Sequence, residues 1–195
     1  AGGLIYRPGF TVTPGGTVTV TVGDGGSGAN DDNSPGVGAN GQDSVFGTLT
    51  ANTIATIGQR LNVSTNAANG FVVTVQQSQD LLSATGADIN GFIDGAYTDT
   101  PAAWQAPAST LGSTETYGHW GLTSADDLNT SEFGSNLWVA ASTTPRQVFE
   151  NSGVADGTTA NVGSTTVGYQ VEIGSLQEAA DDYSTTLTYV ATPTF

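Results

Sequence analysis

The chain has 195 residues, with 18 Asp or Glu against three Lys or Arg, no Cys and no Met, and its formal net charge at pH 7 is −15. Nucleic acids and anionic membranes need a cationic protein face, so this charge argues against both partners. Because Cys is absent, disulfides, thiolate zinc sites and Cys nucleophiles are excluded. The sequence also lacks an apolar run of the ~18 residues that a transmembrane helix needs.

The composition favours a β fold. The chain contains 27 Gly residues in a background rich in Thr, Ser and Asn, and no stretch keeps a helical apolar period for long. We predict an all-β protein, an Ig-like or jelly-roll-type antiparallel β-sandwich with an extended N-terminal strand and long loops. The expected organisation is an N-terminal arm at residues 1–13 and a single sandwich domain at residues 14–195.

The N-terminus alternates between apolar and polar side chains, as a strand with one buried face does. The apolar even positions are Leu4, Tyr6, Phe10, Val12, Val18, Val20 and Val22. Pro14-Gly15-Gly16 divides this pattern into two arms. We expect residues 17–22 to be the first strand of the chain's own sandwich, which leaves the arm at 4–12 without an obvious place in it.

A long polar loop follows, from Gly23 to Asp43. Loops of this length in a compact domain are usually functional or disordered. Calcium, which takes hard oxygen ligands, is the one candidate cofactor. The candidate ligands are Asp24, Asp31, Asp32, Asn33 and Asp43. Their spacing is not that of a known calcium loop, and contacts with a neighbouring subunit would order the loop equally well. Residues 88–94 are a second calcium candidate.

About ten strands are expected from alternation and turn spacing. Residues 54–65 and 71–76 are predicted to pair as a hairpin, because Asn69-Gly70 supplies positive φ at the turn between them. Residues 80–133 are less regular, with a helical turn expected at 124–129. The other expected strands are 44–49, 81–82, 89–93, 136–141, 146–150, 165–173 and 183–195.

Two stretches carry a resemblance to known families. Residues 46–49, 61–66 and 70–76 resemble the opening half of secreted bacterial surface β-sandwiches, and Asp182-Tyr183-Ser184-Thr185-Thr186-Leu187-Thr188-Tyr189 resembles the last strand of spore-coat-U-type pilins. The arrangement is similar to donor-strand filament subunits, including chaperone–usher pilins, TasA-type biofilm fibres and archaeal bundling pili. The resemblance implies that an N-terminal segment inserts into the sheet of the next subunit. The chain lacks the Cys pair common in usher-type pilins.

Few residues could carry out catalysis. His119 is the only His, no Gly-x-Ser-x-Gly elbow is present and Lys is absent, so we expect no enzymatic activity. A carboxylate pair for glycoside hydrolysis would leave no sequence signature and stays open. A metal site that combines His119 with Asp126, Asp127 and Glu132 also stays open, although solvated acids are the simpler interpretation.

Surface sites are the next possibility. Trp104, Trp120 and Trp138 could form a sugar-stacking platform, but Trp residues in a sandwich more often belong to the core or an interface. Asn62 and Asn129 each begin an Asn-x-Ser/Thr sequence, the acceptor pattern for N-glycosylation. The chain begins with Ala1 instead of Met, which we expect to reflect a removed signal peptide and hence an extracellular or cell-surface location.

Elimination narrows the ways in which such a surface protein could polymerise. Sortase-built pili and isopeptide bonds need Lys, disulfide linkage needs Cys, and type IV pilins need an apolar N-terminal helix, whereas Pro8 and Gly9 interrupt this N-terminus. Non-covalent strand addition remains, and head-to-tail addition builds an open filament of copies of this chain. The predicted donor-strand residues are Leu4, Ile5, Tyr6, Phe10 and Val12.

The prediction from sequence is therefore a structural subunit of an extracellular filament. The main alternative is a monomeric surface module for adhesion, cell-wall or glycan binding, whose arm folds back onto its own sheet. A secreted hydrolase is a third. Pro8 cannot donate a ladder hydrogen bond, so a donated strand needs an edge, a bulge or a solvent-facing position there.

Overall fold

The computed structural model describes residues 49–126, 133–134, 136–179 and 183–195. Residues from Ala51 to Phe195 form a compact unit, and in its described parts strands dominate. The strands are β1 Ala55–Asn62, β2 Ser64–Thr65, β3 Phe71–Gln77, β4 Leu81–Leu82, β5 Asp88–Gly91, β6 Ala102–Ala103, β7 Gly118–Ser124, β8 Leu137–Ala140, β9 Arg146–Asn151, β10 Ala155–Asp156, β11 Ser164–Ile173 and β12 Leu187–Pro193, and a 3₁₀ turn spans Thr114–Thr116. The predicted boundary between residues 13 and 14 lies outside these ranges.

The larger sheet has seven strands. β1 pairs with β11 and β11 pairs with β7, both antiparallel. Beyond β7 the sheet continues through β5, which runs parallel to β7, and through β8, which runs antiparallel to it. β4 extends the sheet from β5, and β6 extends it from β8. β7 is therefore central, and nearly all of its residues are buried on both faces.

The smaller sheet has three strands in the order β12–β3–β9, all antiparallel. β3 lies in the middle and alternates, with Phe71, Val73 and Val75 buried and the residues between them partly exposed. The ring of Phe71 packs edge-on against Phe149 of β9 at 4.9 Å. A short ladder between β2 and β10 closes one end of the fold.

The two sheets pack face to face as a sandwich, so the predicted all-β fold class is confirmed. Two cross-sheet hydrogen bonds show how the strands align. The hydroxyls of Tyr169 on β11 and Tyr189 on β12 bond to each other, and Ser124 of β7 donates to the carbonyl of Val148 on β9. Each fully buried large apolar side chain contributes about 1.5–3 kcal/mol to this core. The interior side chains include Phe71, Val73, Val75, Trp120, Leu122, Phe149, Val167 and Val171.

The predicted hairpin between residues 54–65 and 71–76 is wrong. β1 pairs with β11 in one sheet, and β3 pairs with β12 and β9 in the other. The turn forms as expected, with Gly70 at φ +81° and Ala67 fully buried, but it carries the chain from one sheet to the other. Alternation reveals which face of a strand is buried, but it does not reveal the partner strand.

β7 was not predicted, and it is the central strand of the larger sheet. Its sequence, Gly-His-Trp-Gly-Leu-Thr-Ser, is buried on both faces and therefore shows no apolar alternation. The expected helical turn at 124–129 is wrong at its start, because Ser124 is the last residue of β7. Its remainder from residue 127 lies outside the described residues.

Candidate functional site

β12 forms one margin of the smaller sheet. Within the described residues it pairs along its length only with β3, so the edge that faces away from β3, called here the free edge, has no partner strand. The backbone directions follow from the ladder. Thr186 accepts from the N–H of Ser78 and Thr194 donates to Gly70, so the even-numbered residues between them also point toward β3. The backbone groups of Leu187, Tyr189 and Ala191 therefore point to the free edge.

Pro193 fits this geometry. It belongs to the odd-numbered set of β12 residues, whose backbone nitrogens face away from β3. A proline there removes no hydrogen bond from the ladder with β3, which is the reason prolines occur at sheet edges. The free edge thus offers a run of backbone donors and acceptors that ends at Pro193.

The odd-numbered side chains of β12 point into the sandwich, as the Tyr189 hydroxyl bond to Tyr169 demonstrates. Leu187 and Tyr189 are only partly buried, and Ala191 and Pro193 are exposed. The inward side chains of β1, in the facing sheet, are also incompletely covered. All four are only partly buried: Ala55, Ile57, Gln59 and Leu61. The interior of the sandwich is therefore incompletely covered along one side.

Two side-chain bonds join the sheets at different lateral offsets. The Tyr169–Tyr189 hydroxyl bond joins β11 to β12, and the Ser124 bond to the Val148 carbonyl joins β7 to β9. β11 and β7 are neighbours, whereas β3 lies between β12 and β9, so the strands of the two sheets cross instead of aligning one to one. Among the described residues, no strand continues the smaller sheet beyond β12.

The other margin of the smaller sheet has a different character. β9 carries Arg146 and Glu150, and charged side chains on an edge strand discourage pairing with another chain. β12 has the sequence Leu-Thr-Tyr-Val-Ala-Thr-Pro and no charge. Of the two margins, the free edge of β12 is the one suited to accept a strand.

His119 on β7 is the centre of a second candidate site, on the opposite face of the larger sheet. Its ring is fully buried, with Nδ1 3.1 Å from both the backbone nitrogen and Oδ1 of Asp94, and Nε2 2.9 Å from the carbonyl oxygen of Gln105. Because the Asp94 N–H donates to Nδ1, Nε2 carries the proton and donates to Gln105. Both ring nitrogens thus fasten the segment after β5 to the sheet.

Aromatic rings surround this histidine. Trp104 stacks on Phe92 with centroids 4.7 Å apart and packs edge-on against His119 at 5.0 Å and against Trp138 at 5.6 Å. Its indole N–H donates to Oε2 of Glu172 at 2.7 Å, and Glu172 lies beside His119 in the register of β11 and β7. The cluster holds the chain between β5 and β7 against the larger sheet.

This cluster contains a His–Asp pair, which in hydrolases orients a general base. Here the nitrogen that would face a nucleophile is occupied by a backbone carbonyl, and the ring is 0 % exposed. Among the described residues, no group of three or more His, Cys, Asp or Glu is placed to hold a metal ion. The contacts of the cluster serve packing, and they include no reactive group facing solvent.

Asp126 does not join His119. Its Oδ2 accepts the backbone N–H of Glu150 on β9, in the other sheet. Asp127 and Glu132 lie outside the described residues. Of the second calcium candidate, Asp94 is engaged with His119 and with the backbone N–H of Ala108. The sequence-based metal site around His119 is therefore not assembled in the described residues.

Tyr97 lies beside Asn90, another residue of that candidate, and beside Asp80, which precedes it. Its hydroxyl donates to Oδ2 of Asp80 at 2.5 Å and lies 3.4 Å from Oδ1 of Asn90. Burial, and next the hydrogen bond to Asp80, raise the pKa of Tyr97 well above its usual value. A neutral phenol donor at this position satisfies the Asp80 carboxylate.

A groove of about 410 Å³ lies at the end of β1 and β11. Arg60 lies on its wall, and its Nε donates to the hydroxyl of Ser164 at 3.0 Å. Ser164 in turn donates to Oδ1 of Asn62 at 2.9 Å. The remaining lining residues are Ala125, Ala160, Asn161, Thr165 and Thr166. Guanidinium, amide and hydroxyl groups in one groove could bind an oxygen-rich ligand such as a sugar.

The other sequence-predicted positions divide into two groups. Asn62 is exposed at the end of β1, as a glycosylation acceptor must be. Trp120 is buried on the core face of β7, whereas Trp104 and Trp138 belong to the cluster on the other face, so the three form no common platform. The donor-strand residues Leu4, Ile5, Tyr6, Phe10 and Val12, the calcium candidates Asp24, Asp31, Asp32, Asn33 and Asp43, and Asn129 lie outside the described residues.

Comparison with known proteins assigns this chain to no family. The chain matches no protein-family model, no curated protein and no solved structure. Within its described part, none of the helical segments has the length and apolar content to cross a membrane. The function must therefore be argued from the sequence and from the two sheets.

Proposed function

We propose that this protein is a structural subunit of an extracellular filament, a pilus or biofilm-matrix fibre. Each subunit donates its N-terminal strand to a neighbouring copy, and the chain polymerises head-to-tail without covalent links. The observation that carries the proposal is the free edge of β12, which borders a sandwich interior that is only partly covered.

The composition of the chain supports the same proposal. Lys and Cys, the residues used for covalent cross-links between pilus subunits, are absent. The N-terminal arm alternates in the way that strand addition needs, because its apolar side chains fall on one face while its backbone is available for hydrogen bonds. Burial of Leu4, Tyr6, Phe10 and Val12 at about 1.5–3 kcal/mol each could supply several kcal/mol per junction.

The enzyme alternative has less support. The His119 cluster buries its imidazole and engages both nitrogens within the fold. We propose no catalytic role for the chain.

The test compares the intact chain with a chain that lacks residues 1–12, by negative-stain electron microscopy and sedimentation over a range of salt and calcium concentrations. We expect fibres from the intact chain and monomers from the truncated one. Fibres of the same width from the truncated chain would contradict strand donation, as would an intact chain that stays monomeric under every condition.

The groove beside Arg60 favours a second candidate function, a monomeric surface module that binds glycans or cell-wall sugars. This function predicts that an isolated monomer binds defined glycans on an array and that Arg60→Ala abolishes the binding. A monomer that binds no glycan would remove this candidate, and fibre assembly by the Arg60→Ala chain would show that the groove is not needed for polymerisation.

A further inference from the structure

We propose that the donated strand of a second copy docks on the free edge of β12 and runs parallel to β12. This inference rests on the proposed function, since it takes residues 4–12 to be the donated segment. It specifies the accepting strand, the orientation of the donor and the side chains that it covers.

The position follows from the free edge of β12 and the incomplete cover beside it. On β12 the inward Leu187 and Tyr189 are only partly buried and Ala191 is exposed, so a strand added at this edge would cover them. The remaining margin, β9, carries Arg146 and Glu150, which oppose pairing with another chain.

The occupant is a second copy of this chain because the N-terminal arm has the matching pattern. β12 presents seven residues, Leu187–Pro193, and the arm has apolar side chains at Leu4, Tyr6, Phe10 and Val12 on one face. A strand at this position needs apolar side chains on the inward face only, and Arg7 falls on the outward face. The arm also brings no acidic residue to the junction between two strongly acidic chains.

The orientation follows from Pro8. Pro8 has the same parity as Tyr6 and Phe10, so its side chain points inward with theirs. On β12, the residues with inward side chains are also those whose backbone groups point to the free edge. In an antiparallel ladder two such residues face each other as a hydrogen-bonded pair, and Pro8 would leave one acceptor of β12 unpaired.

A parallel ladder removes this conflict. In parallel pairing, a residue bonds to the two neighbours of the residue opposite it, so β12 bonds to the outward-facing donor residues Ile5, Arg7, Gly9 and Thr11. The nitrogen of Pro8 then points away from β12 toward solvent, where proline costs no ladder bond. Parallel docking is therefore the orientation in which Pro8 costs no hydrogen bond between the donated strand and β12.

The test uses engineered cysteines, because the native chain has none to interfere. Ile5→Cys and Thr11→Cys mark the two ends of the donor, and Thr188→Cys and Thr192→Cys mark the exposed outer face of β12. The four pairwise double variants are oxidised under assembly conditions and separated by non-reducing electrophoresis. Ile5→Cys with Glu150→Cys provides the control at the β9 margin.

Parallel docking predicts a cross-linked ladder for 5 with 188 or for 11 with 192, about tenfold or more above both crossed pairs, because a disulfide needs Cα atoms within about 7 Å. Residues 5 and 11 are six positions apart whereas 188 and 192 are four apart, so the register decides which matched pair lies directly opposite and cross-links. The reverse ranking would overturn the orientation. Cross-links only with the β9 control would overturn the choice of edge.

Failure of this inference can be told apart from failure of the proposed function. Two single-cysteine chains, Ile5→Cys and Thr188→Cys, are mixed, with a size tag on one of them, so that a mixed disulfide must join two molecules. A mixed product supports docking on a second copy. If fibres form without it, the docking site is wrong while the filament function stands. If the double-cysteine variant forms its disulfide only within one molecule and no fibres form, both proposals fail.

Discussion

Tyr189→Phe removes one oxygen atom from the centre of the proposed docking site. The Tyr189 hydroxyl bonds to the hydroxyl of Tyr169 and thereby joins β12 to β11 across the interior. Tyr169 is 2 % exposed, so its hydroxyl cannot turn to water once its partner is lost. The variant keeps the ring and its packing and isolates the contribution of the cross-sheet bond.

The expected loss of stability comes from two effects. A net intramolecular hydrogen bond contributes about 0.5–1.5 kcal/mol, and a buried hydroxyl left without a partner costs about 1–3 kcal/mol. We expect Tyr189→Phe to lower the free energy of unfolding by about 1–3 kcal/mol at pH 7. Tyr169→Phe should cost less through this bond, because it leaves the hydroxyl of Tyr189 unpaired and Tyr189 is only partly buried. The double variant should cost less than the sum of the two single variants, because both single changes break the same bond.

Alkaline pH provides an independent check. Burial raises the pKa of Tyr189 to about 12 and raises that of Tyr169 well above its usual value. Above pH ~10 the unfolded chain loses these protons while the folded chain keeps them, so stability is fully present below pH ~10 and falls as the pH rises. Each such tyrosine steepens the fall by about 1.4 kcal/mol per pH unit.

The assay is urea unfolding from pH 7 to pH 12, followed by Trp fluorescence, at a protein concentration below that of assembly. We expect Tyr189→Phe to be less stable at pH 7 and to lose stability less steeply above pH ~10 than the native chain. A loss below ~0.5 kcal/mol at pH 7, together with an unchanged alkaline slope, would refute the cross-sheet bond between β11 and β12.

Three further predictions concern the rest of the sandwich. Gly70→Ala should cost more than ~2 kcal/mol in thermal unfolding, because Gly70 has φ +81° and a Cβ there would lie 1.6 Å from the Asn151 carbonyl oxygen. Gly153→Ala is the control and should be near neutral, because a Cβ there would have no atom within 4 Å. Equal melting temperatures of the two variants would contradict this turn geometry. His119→Ala should cost about 2–4 kcal/mol and weaken the near-UV circular dichroism of Trp104, and an unchanged spectrum would exclude the edge-on contact. The Thr159 hydroxyl, followed by the backbone N–H groups of Thr159 and Thr158, holds the pKa of Asp156 well below its usual value, so native Asp156 should stabilise the fold relative to Asp156→Asn above pH ~4, and this advantage should shrink progressively as the pH falls below ~4; an advantage of the same size at pH ~5 and pH ~2 would contradict the loop contacts.

Much of the fold could be predicted from local patterns. Alternation identified the strands that became β1, β3, β11 and β12. Pairing could not be predicted, because an Asn-Gly turn closes a hairpin and crosses a sandwich equally well. β7 showed no alternation because both of its faces are buried.

The candidate sites show the same division. The sequence singles out His119 as the only His, but its partners Asp94, Gln105 and Glu172 lie far apart in the chain, and only the fold brings them together. No local sequence pattern indicated the free edge of β12. It depends on which strand pairs with which, a property of the two sheets together.

The central claim is that one face of the N-terminal strand inserts into a neighbouring subunit, and two full-length variants test it most directly. Phe10→Asp and Thr11→Asp add the same charge at adjacent positions, the first on the face that we propose to insert and the second on the opposite face. A carboxylate buried without a partner is strongly unfavourable, whereas an exposed one costs little. We predict that Phe10→Asp abolishes fibres in negative-stain images while Thr11→Asp assembles like the native chain. Equal assembly by both variants, or loss in both, would contradict the account.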